Sequence, residues 1–255
     1  MTYTIAITGK GGVGKTTVAA LLVSRLIGRG CKPVLAVDAD PNSCLDAALG
    51  VKVAVTIGGI REQAREIAGK GMSTGVPTQK VLEMKIAESL VEADDFDLIA
   101  MGRPEGPGCY CYANSVLKQT IQTIAANYPY LVIDNEAGLE NISRRVVTQV
   151  DLMVIVSDPS QRGVETLRRL YDLAQEMGVK YGKLALAINR MRNADLPTGI
   201  EQLRQYTKAD YVLPLPDDAE LAAANEAGTN LRTLPADNPV ANRVDRFLEN
   251  VIRNA

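Results

Sequence analysis

Short apolar runs rich in β-branched residues alternate with longer amphipathic segments along most of this 255-residue chain. Such alternation is typical of βαβ units, in which helices cover both faces of a parallel sheet. The apolar runs predict strands at Thr4–Thr8, Val34–Asp38, Leu98–Met101, Leu131–Asp134, Leu152–Ser157, Leu184–Asn189 and Tyr211–Leu215. The intervening segments predict helices near 15–28, 112–126, 139–149, 161–177, 198–206, 218–227 and 238–253. We therefore expect an α/β fold with a mostly parallel central sheet flanked by helices on both faces.

Residues 51–97 interrupt this alternation, because the segment is longer than a simple crossover. Its pattern predicts two helices, at 58–69 and 79–92, joined by the breaker-rich sequence GKGMSTGVP. The segment is either a helical insertion that meets a partner or a plain structural crossover. The composition shows no break between domains, and the length is near the upper limit for one hydrophobic core. We therefore expect one domain over residues 1–255.

Composition narrows the classes of partner. Charged residues make up 23% of the chain with a formal net charge of −2, which argues against a nucleic-acid surface or a polybasic membrane anchor. The first residues, MTYTIAIT, lack the basic start and cleavage site of a signal peptide. No apolar run approaches the roughly 20 residues that span a bilayer. We expect a cytoplasmic protein with neither a nucleic-acid nor a membrane partner.

The sequence GKGGVGKTT, from Gly9 to Thr17, follows a predicted strand and opens a predicted helix. This context is that of a G-x-x-x-x-G-K-T phosphate loop and indicates a single-domain P-loop NTPase. Backbone N–H groups of such a loop surround the phosphates, and the N-terminus of the following helix adds partial positive charge. Lys15 is expected at the β- and γ-phosphates, Thr16 on Mg²⁺ and Thr17 at the α-phosphate. The predicted nucleotide-binding residues of the loop are Gly11, Gly12, Val13, Gly14, Lys15, Thr16 and Thr17.

Lys10 distinguishes this loop from an ordinary Walker A sequence. The pattern K-G-G-x-G-K-[ST] resembles the deviant Walker A family of MinD, ParA, the arsenite-pump ATPases and the nitrogenase iron protein. The resemblance implies that Lys10 reaches the nucleotide of a second subunit, so that hydrolysis depends on closure of a homodimer. A cation supplied in trans would act on the phosphoryl group as an arginine finger does. Lys10, Lys15 and Asp40 are then the expected catalytic residues.

Acidic residues end two of the predicted strands, in VDADP and LVIDNEAGLE. By resemblance, Asp40 in the first switch orients the attacking water, and Asp38 helps Thr16 to hold Mg²⁺. Asp134 and Gly138 resemble the second switch, in which the carboxylate binds a magnesium water and the glycine N–H contacts the γ-phosphate. Helix N-capping is the alternative role for either aspartate alone.

Base recognition is predicted from the last two strands. Asn189 matches the adenine-binding asparagine of the family, and LPLPDDAELAAANEAG resembles the stretch that frames the adenine near Pro216 and Asp217. The N-K-x-D pattern of GTP-binding proteins is missing, so ATP is favoured over GTP. Alternatively, Asn189 simply ends its strand.

Cys109 and Cys111 lie in the Gly- and Pro-rich sequence GRPEGPGCYCYAN, and the chain has four cysteines and no histidine. Two thiols one residue apart can chelate one soft metal, but a tight site usually needs four ligands. A dimer that doubles the pair would form a four-thiolate site for Ni²⁺ or Zn²⁺ on its two-fold axis. Cys31 is expected to be structural and Cys44 to pack beneath the first switch.

The phosphate loop, VDADPNSCL and the CYC motif with Asn114 together resemble the CooC family and the similar AcsF factors. This resemblance implies nickel insertion into apo carbon monoxide dehydrogenase or acetyl-CoA synthase, driven by ATP and metal-promoted dimerisation. Glu136 departs from it, because many MinD relatives have proline there.

Two other functions compete with this one. A MinD- or ParA-type spatial regulator would use the amphipathic segment 238–255 as a membrane anchor, although acidic residues on its polar face favour a helix that covers the sheet. An iron–sulfur reductase needs a cysteine after the second switch, and no cysteine follows Asp134.

Overall fold

The structure is a computed structural model that describes residues 1–42, 44–60, 84, 87–102, 121–138 and 150–253. Its strands are β1 Tyr3–Gly9, β2 Val34–Asp38, β3 Val91–Glu92, β4 Phe96–Ala100, β5 Tyr130–Asp134, β6 Val150–Ser157, β7 Tyr181–Met191 and β8 Tyr211–Pro216. They form one eight-stranded sheet in the order β3-β4-β2-β5-β1-β6-β7-β8. The β3–β4 pair is antiparallel and the other pairs are parallel. The predicted fold class is confirmed.

The described helices include α1 Lys15–Gly28, α2 Leu45–Leu49, α3 Gln161–Glu176, α4 Ile200–Thr207, α5 Ala219–Glu226 and α6 Pro239–Arg253. Residues 57–60 and 121–125 are also helical. Side chains alternate across β1, so that Ile5 and Ile7 join the core under α1 and α6, while Ala6 joins the core on the opposite face. The sheet is therefore covered on both sides, as its strands of almost wholly buried residues require.

Helix α6 packs against α1 and β8 through one apolar face. Val240, Val244 and Val251 are completely buried, and Phe247 is nearly so. Burying a large apolar side chain stabilises the fold by about 1.5–3 kcal/mol, so this face of α6 is a stable part of the hydrophobic core. The prediction that this segment covers the sheet is confirmed.

Two local elements differ from the sequence-based expectation. Helix α2 was not predicted, and Val91–Glu92 pairs with β4 as a short edge strand where the pattern predicted the end of a helix. A short apolar run does not distinguish strand from helix by itself, and here the free edge of β4 decides the outcome. Most of the helices predicted at 58–69, 79–92, 112–126 and 139–149 lies outside the described residues. The helical insertion therefore stays a prediction.

Within the described part of the chain, none of the helices combines the length and the apolar character that a bilayer crossing would require. The carboxyl ends of the parallel strands meet at one edge of the sheet, with β1 between β5 and β6. In open α/β sheets, ligands bind at this edge. The fold therefore brings the phosphate loop and the predicted switches together.

Candidate functional site

The phosphate loop runs from the end of β1 at Gly9 to the start of α1 at Lys15. Gly14 caps the helix in a left-handed conformation with φ of 92°, and a Cβ added there would lie 2.4 Å from Nδ2 of Asn189. Both the backbone and the space require glycine at this position. The N-terminus of α1 thus opens directly at the loop, where it favours a bound anion.

Side chains hold three carbonyl groups of the loop. Nζ of Lys15 donates to the Lys10 carbonyl at 3.3 Å, and Nη1 of Arg190 donates to the Gly12 carbonyl at 3.3 Å. Nδ2 of Asn189 donates to the Val13 carbonyl at 2.8 Å. A loop that presents its N–H groups to an anion must direct its carbonyls elsewhere, and these bonds do so.

Asp38 and Asp134 are register partners at the carboxyl ends of β2 and β5. Asp38 is completely buried, and its two carboxylate oxygens accept the backbone N–H groups of Asp40 at 3.1 Å and Leu45 at 2.9 Å. Burial raises the pKa of Asp38 to about 6, although both hydrogen bonds lower it. Asp38 thus holds the backbone of the predicted first switch and the start of α2.

Asp134 is equally buried, but neither of its carboxylate oxygens has a hydrogen-bond partner of normal geometry among the described residues. Burial raises the pKa of Asp134 to about 7 and the charge of Asp38 adds to the rise, whereas the nearby Thr16 hydroxyl and the charge of Lys15 lower it. A buried, unpaired carboxylate is costly unless a cation compensates it. Asp134 and Thr16 therefore suit a hard divalent cation.

Magnesium fits this pair of oxygen donors because it usually binds through one or two carboxylates and takes its other ligands from phosphate and water. Correspondingly, the described residues contain no group of three or more cysteine, aspartate or glutamate side chains that could hold a metal alone. Asp38 also lies beside the proposed magnesium position, and both of its carboxylate oxygens already accept N–H groups. Its place among the magnesium ligands stays a prediction.

The predicted second switch begins next to the phosphate loop. Gly138, with φ of 90°, donates its N–H to the Gly9 carbonyl at 3.1 Å, and the Thr8 hydroxyl donates to the Gly138 carbonyl. Asn135, which sequence analysis missed, is buried and donates through Nδ2 to the Ile7 carbonyl at 2.8 Å. The signal that the sequence offered for Asn135 is its position directly after Asp134, the aspartate that ends a strand. These bonds tie the predicted second switch to β1, and in its predicted contact with a γ-phosphate the Gly138 N–H would leave the Gly9 carbonyl.

Two of the predicted catalytic residues lie at the surface of this edge. Asp40 is half-buried and accepts the N–H of Asn42 at 2.9 Å. Lys10 is exposed and lies near Asp158. Hydrogen bonding by Ser160 holds the pKa of Asp158 below its usual range, and the Lys10 charge adds to this effect. The structure therefore brings Lys10, Lys15 and Asp40 to one edge, and their roles in hydrolysis stay predictions.

The predicted adenine contacts lie at the ends of two neighbouring strands. Asn189 is nearly buried in β7, and Met191 two residues later pairs with Pro216 of β8. The Asp217 N–H donates to the Met191 carbonyl at 2.8 Å. A cavity of about 670 Å³ adjoins this place, lined in part by Asp158, Arg190 and Asp217. Its size is that of a small-molecule site, so the strand ends have room for a nucleoside.

Thr17 has a partner that sequence analysis did not foresee. Its hydroxyl donates to Oδ1 of Asn225 in α5 at 3.2 Å, and Nδ2 of Asn225 donates to the Leu221 carbonyl at 2.9 Å. No local signal in the sequence connects two residues so far apart. Helix α5 therefore contacts the phosphate side of the site and continues from the predicted adenine frame at Asp217.

The cysteines divide into two groups. Cys109 and Cys111 lie outside the described residues, so their proposed metal site stays a prediction. Cys31 is half-buried against the core, in agreement with a structural role. Cys44 is exposed at the start of α2, and its predicted packing beneath the first switch is wrong. The adjacent Leu45 occupies the buried position instead, because its N–H is bonded to Asp38.

Comparison with known proteins agrees with this geometry. The family model of an AAA domain matches residues 2–184. The chain belongs to this family of P-loop ATPases of the MinD and ParA type. An uncharacterized ATP-binding protein of Methanocaldococcus jannaschii is 39% identical over 252 residues, which cover 97% of this chain and 98% of the relative.

Two further relatives show how far the comparison extends. The carbon monoxide dehydrogenase accessory protein CooC of Rhodospirillum rubrum is 31% identical over 88% of this chain and 87% of its own length. The septum site-determining protein MinD of Pyrococcus horikoshii, solved with Mg-ADP, has a TM-score of 0.69 at 21% identity and covers 98% of this chain and 96% of that protein. The similarity to this MinD structure shows the fold of the chain. CooC is one of several relatives at a distance, so the narrower resemblance stays a prediction.

Proposed function

We propose that the chain is a magnesium-dependent ATPase. The observation that carries this proposal is the buried Asp134, whose carboxylate has no hydrogen-bond partner of normal geometry among the described residues and lies near Thr16 and the phosphate loop. Such a carboxylate suits a cation, and the loop suits the phosphates that complete the shell of that cation. ATP is the proposed nucleotide because Asn189, Pro216 and Asp217 match the adenine contacts of the family.

In the proposed reaction, the loop N–H groups and Lys15 hold the β- and γ-phosphates, and Thr17 contacts the α-phosphate. Thr16 and Asp134, with Asp38, would hold Mg²⁺, which neutralises phosphate charge. Asp40 orients a water molecule for attack on the γ-phosphorus. The bond from that phosphorus to the β–γ bridging oxygen breaks, and ADP, inorganic phosphate and a proton leave. Lys10 of a second subunit stabilises the developing charge.

Steady-state phosphate release tests this proposal. The parent protein is expected to hydrolyse ATP only with Mg²⁺, and Lys15→Ala is expected to lose most nucleotide affinity because the ammonium contact is removed. Lys208→Ala is a suitable control, since Lys208 precedes β8 at the opposite edge of the sheet. Hydrolysis by Lys15→Ala at the parent rate would contradict the assignment.

We further propose that hydrolysis serves metal delivery. Cys109 and Cys111 of two subunits would bind one Ni²⁺ or Zn²⁺, and ATP-driven closure of the homodimer would support nickel insertion into carbon monoxide dehydrogenase or acetyl-CoA synthase. The CYC sequence and the similarity to the CooC relative support this metallochaperone function. Four thiolates suit a soft divalent ion, which two thiolates would leave half-coordinated.

Titration with Ni²⁺ or Zn²⁺, with mass measured by light scattering, tests the metal site. We expect one metal per dimer in the parent and loss of binding in Cys109→Ser and Cys111→Ser, with Mg-ATP binding retained. Cys44→Ser is the matched control, because it removes an exposed thiol that is not part of the Cys-x-Cys pair. One tightly bound metal per monomer, or unchanged affinity in the double variant, would exclude the shared site.

A spatial regulator of the MinD type is the second candidate, supported by the whole-chain similarity of fold. The apolar face of α6 is buried, however, so this helix does not present it to lipid. Co-sedimentation with anionic vesicles in the presence of ATP would favour this candidate over metal delivery.

A further inference from the structure

Arg190 has a backbone conformation that is unusual for an arginine. Its φ is 60°, in the left-handed region, and it lies where the β7–β8 ladder changes register between Ile188 and Met191. Ile188 pairs with Pro214 and Met191 with Pro216, so β7 contains one extra residue at this bulge. Glycine is the usual residue at a bulge position with positive φ, because any side chain there is strained. An arginine at this position therefore carries a local cost in stability.

The strained bulge directs two consecutive residues at the phosphate loop. Nη1 of Arg190 donates to the Gly12 carbonyl at 3.3 Å, and Nδ2 of Asn189 donates to the Val13 carbonyl at 2.8 Å. The bulge is also held internally, since the Arg190 N–H donates to Oδ1 of Asn189 at 3.0 Å. Two adjacent peptide groups of the loop are thus bonded to two adjacent side chains of β7.

The planarity of the peptide bond gives these contacts a consequence for anion binding. The C=O of one residue and the N–H of the next belong to the same trans unit and point in opposite directions. A bond that fixes the Gly12 carbonyl therefore also fixes the Val13 N–H, just as the bond to Val13 fixes the Gly14 N–H. Gly12 has φ of 78° and no side chain to restrict its rotation, so this peptide needs an external restraint.

We propose that Arg190 is a positioning residue for the phosphate loop: it holds the Gly12–Val13 peptide so that the Val13 N–H is ready to bind a phosphate oxygen. This inference rests on the proposed nucleotide-binding function. It differs from an adenine contact, because the effect is transmitted through the loop and does not require a base. Loss of the guanidinium should therefore weaken every ligand that uses the loop, including one without a nucleoside.

The test uses Arg190→Gly, Arg190→Ala and Arg190→Lys, with isothermal titration of Mg-ADP and of inorganic pyrophosphate with Mg²⁺. Arg190→Gly relieves the positive φ, so we expect its melting temperature to equal or exceed that of the parent. Its dissociation constants for ADP and pyrophosphate should both rise by a similar factor, about three- to tenfold, for one lost charged hydrogen bond at the surface. Arg190→Lys, which keeps a donor, should lie between the parent and Arg190→Ala.

Lys208 offers a matched control for the relief of strain. Its φ is 53°, and it ends α4 at the opposite edge of the sheet from the phosphate loop. Lys208→Gly should stabilise the fold in the same way and leave both dissociation constants unchanged. If both glycine variants are more stable than the parent but only Arg190→Gly binds the ligands more weakly, Arg190 positions the loop and does not act only through stability.

Three results would overturn the inference. Unchanged binding of both ligands in Arg190→Gly and Arg190→Ala would leave the arginine without a role in the loop. Weakened binding of ADP with unchanged binding of pyrophosphate would move its effect to the nucleoside side, at the adjoining cavity. If the parent bound neither ligand, the proposed function would fail together with this inference, an outcome distinct from the first two.

Discussion

At the scale of single residues, Asp38 and Asp134 show how two carboxylates at matching positions acquire different properties. Both are buried at the ends of neighbouring strands, but Asp38 accepts two backbone N–H groups, whereas Asp134 accepts none of normal geometry from the part of the chain that the structure describes. Burial raises both pKa values: to about 6 for Asp38, where two backbone hydrogen bonds oppose the rise, and to about 7 for Asp134, where the Thr16 hydroxyl and the Lys15 charge oppose it. Asp134 is therefore the less compensated of the two.

This difference predicts how stability depends on pH. The pKa of Asp134 rises from an ordinary 3.8 to about 7 on folding, so between these values the folded state binds more protons than the unfolded state. Its contribution to stability therefore falls as pH rises from about 4 to about 7, and the full cost is present above that range. Asp134→Asn should raise the melting temperature of the ligand-free protein at pH 8 and have little effect at pH 5.

Thermal denaturation at both pH values, with and without Mg-ADP, checks this expectation. A change of one kcal/mol in the free energy of unfolding shifts the melting temperature of a protein of this size by about 2–4 °C. An increase of several degrees is therefore measurable. Mg-ADP should stabilise the parent more at pH 8 than at pH 6, because Mg²⁺ binds the ionised carboxylate, and should stabilise Asp134→Asn less. A variant that melts below the parent at pH 8 would contradict this account.

At the scale of secondary-structure elements, α5 connects the two ends of the predicted nucleotide site. Its N-cap Asp218 directly follows Asp217, and Asn225 in its last turn accepts the Thr17 hydroxyl. Nδ2 of Asn238, before α6, donates to Asp218 at 3.0 Å and so anchors the start of α5. A structural change at the phosphate side can therefore be transmitted to this helix.

The Thr17 contact predicts competition, because a hydroxyl has one proton and both Asn225 Oδ1 and a phosphate oxygen can only accept it. A bound α-phosphate must displace Asn225 to receive the Thr17 hydrogen bond. Asn225→Ala should therefore tighten ADP binding by about two- to threefold, the equivalent of a weak exposed hydrogen bond. Titration calorimetry in the parent and in a Thr17→Ala background checks this, and the gain should vanish in the second. Weaker binding in Asn225→Ala would instead make Asn225 a supporting residue.

At the scale of the whole molecule, the site opens at an edge where Lys10 is exposed to solvent. An exposed cation beside the loop contributes little to its own nucleotide, since water screens it. It can act strongly only where a second surface excludes that water, which is the proposed role of dimer closure. The proposed ATPase and its proposed assembly therefore depend on the same residue.

Lys10→Ala should leave ATP binding nearly intact and abolish both hydrolysis and ATP-dependent dimerisation. The reason is that Lys10 acts on the nucleotide of the second subunit, whereas Lys15 acts on its own. Light scattering with ATP, alongside phosphate release, measures both effects, and Lys15→Ala provides the contrasting loss of binding. A Lys10→Ala protein that dimerised and hydrolysed ATP at the parent rate would exclude action in trans.

The sequence by itself determined the features that depend on neighbours in the chain. The alternation of apolar runs predicted the parallel sheet, because strand burial on both faces leaves a local pattern. Gly9 to Thr17 predicted the phosphate loop, because glycines and a following helix are a local arrangement. Asp38 and Asp134 could be placed at the same edge, since each ends a recognisable strand.

Only the tertiary structure decided which of these groups have partners. Asn189, predicted as an adenine contact, also holds a loop carbonyl 176 positions away, Arg190 does so across 178 positions, and Thr17 meets Asn225 across 208. The burial of Asp134, the edge strand at Val91–Glu92 and the exposure of Cys44 likewise follow from packing. Periodicity reports which residues are buried, but hydrogen bonding and pKa depend on what the fold places beside each buried group.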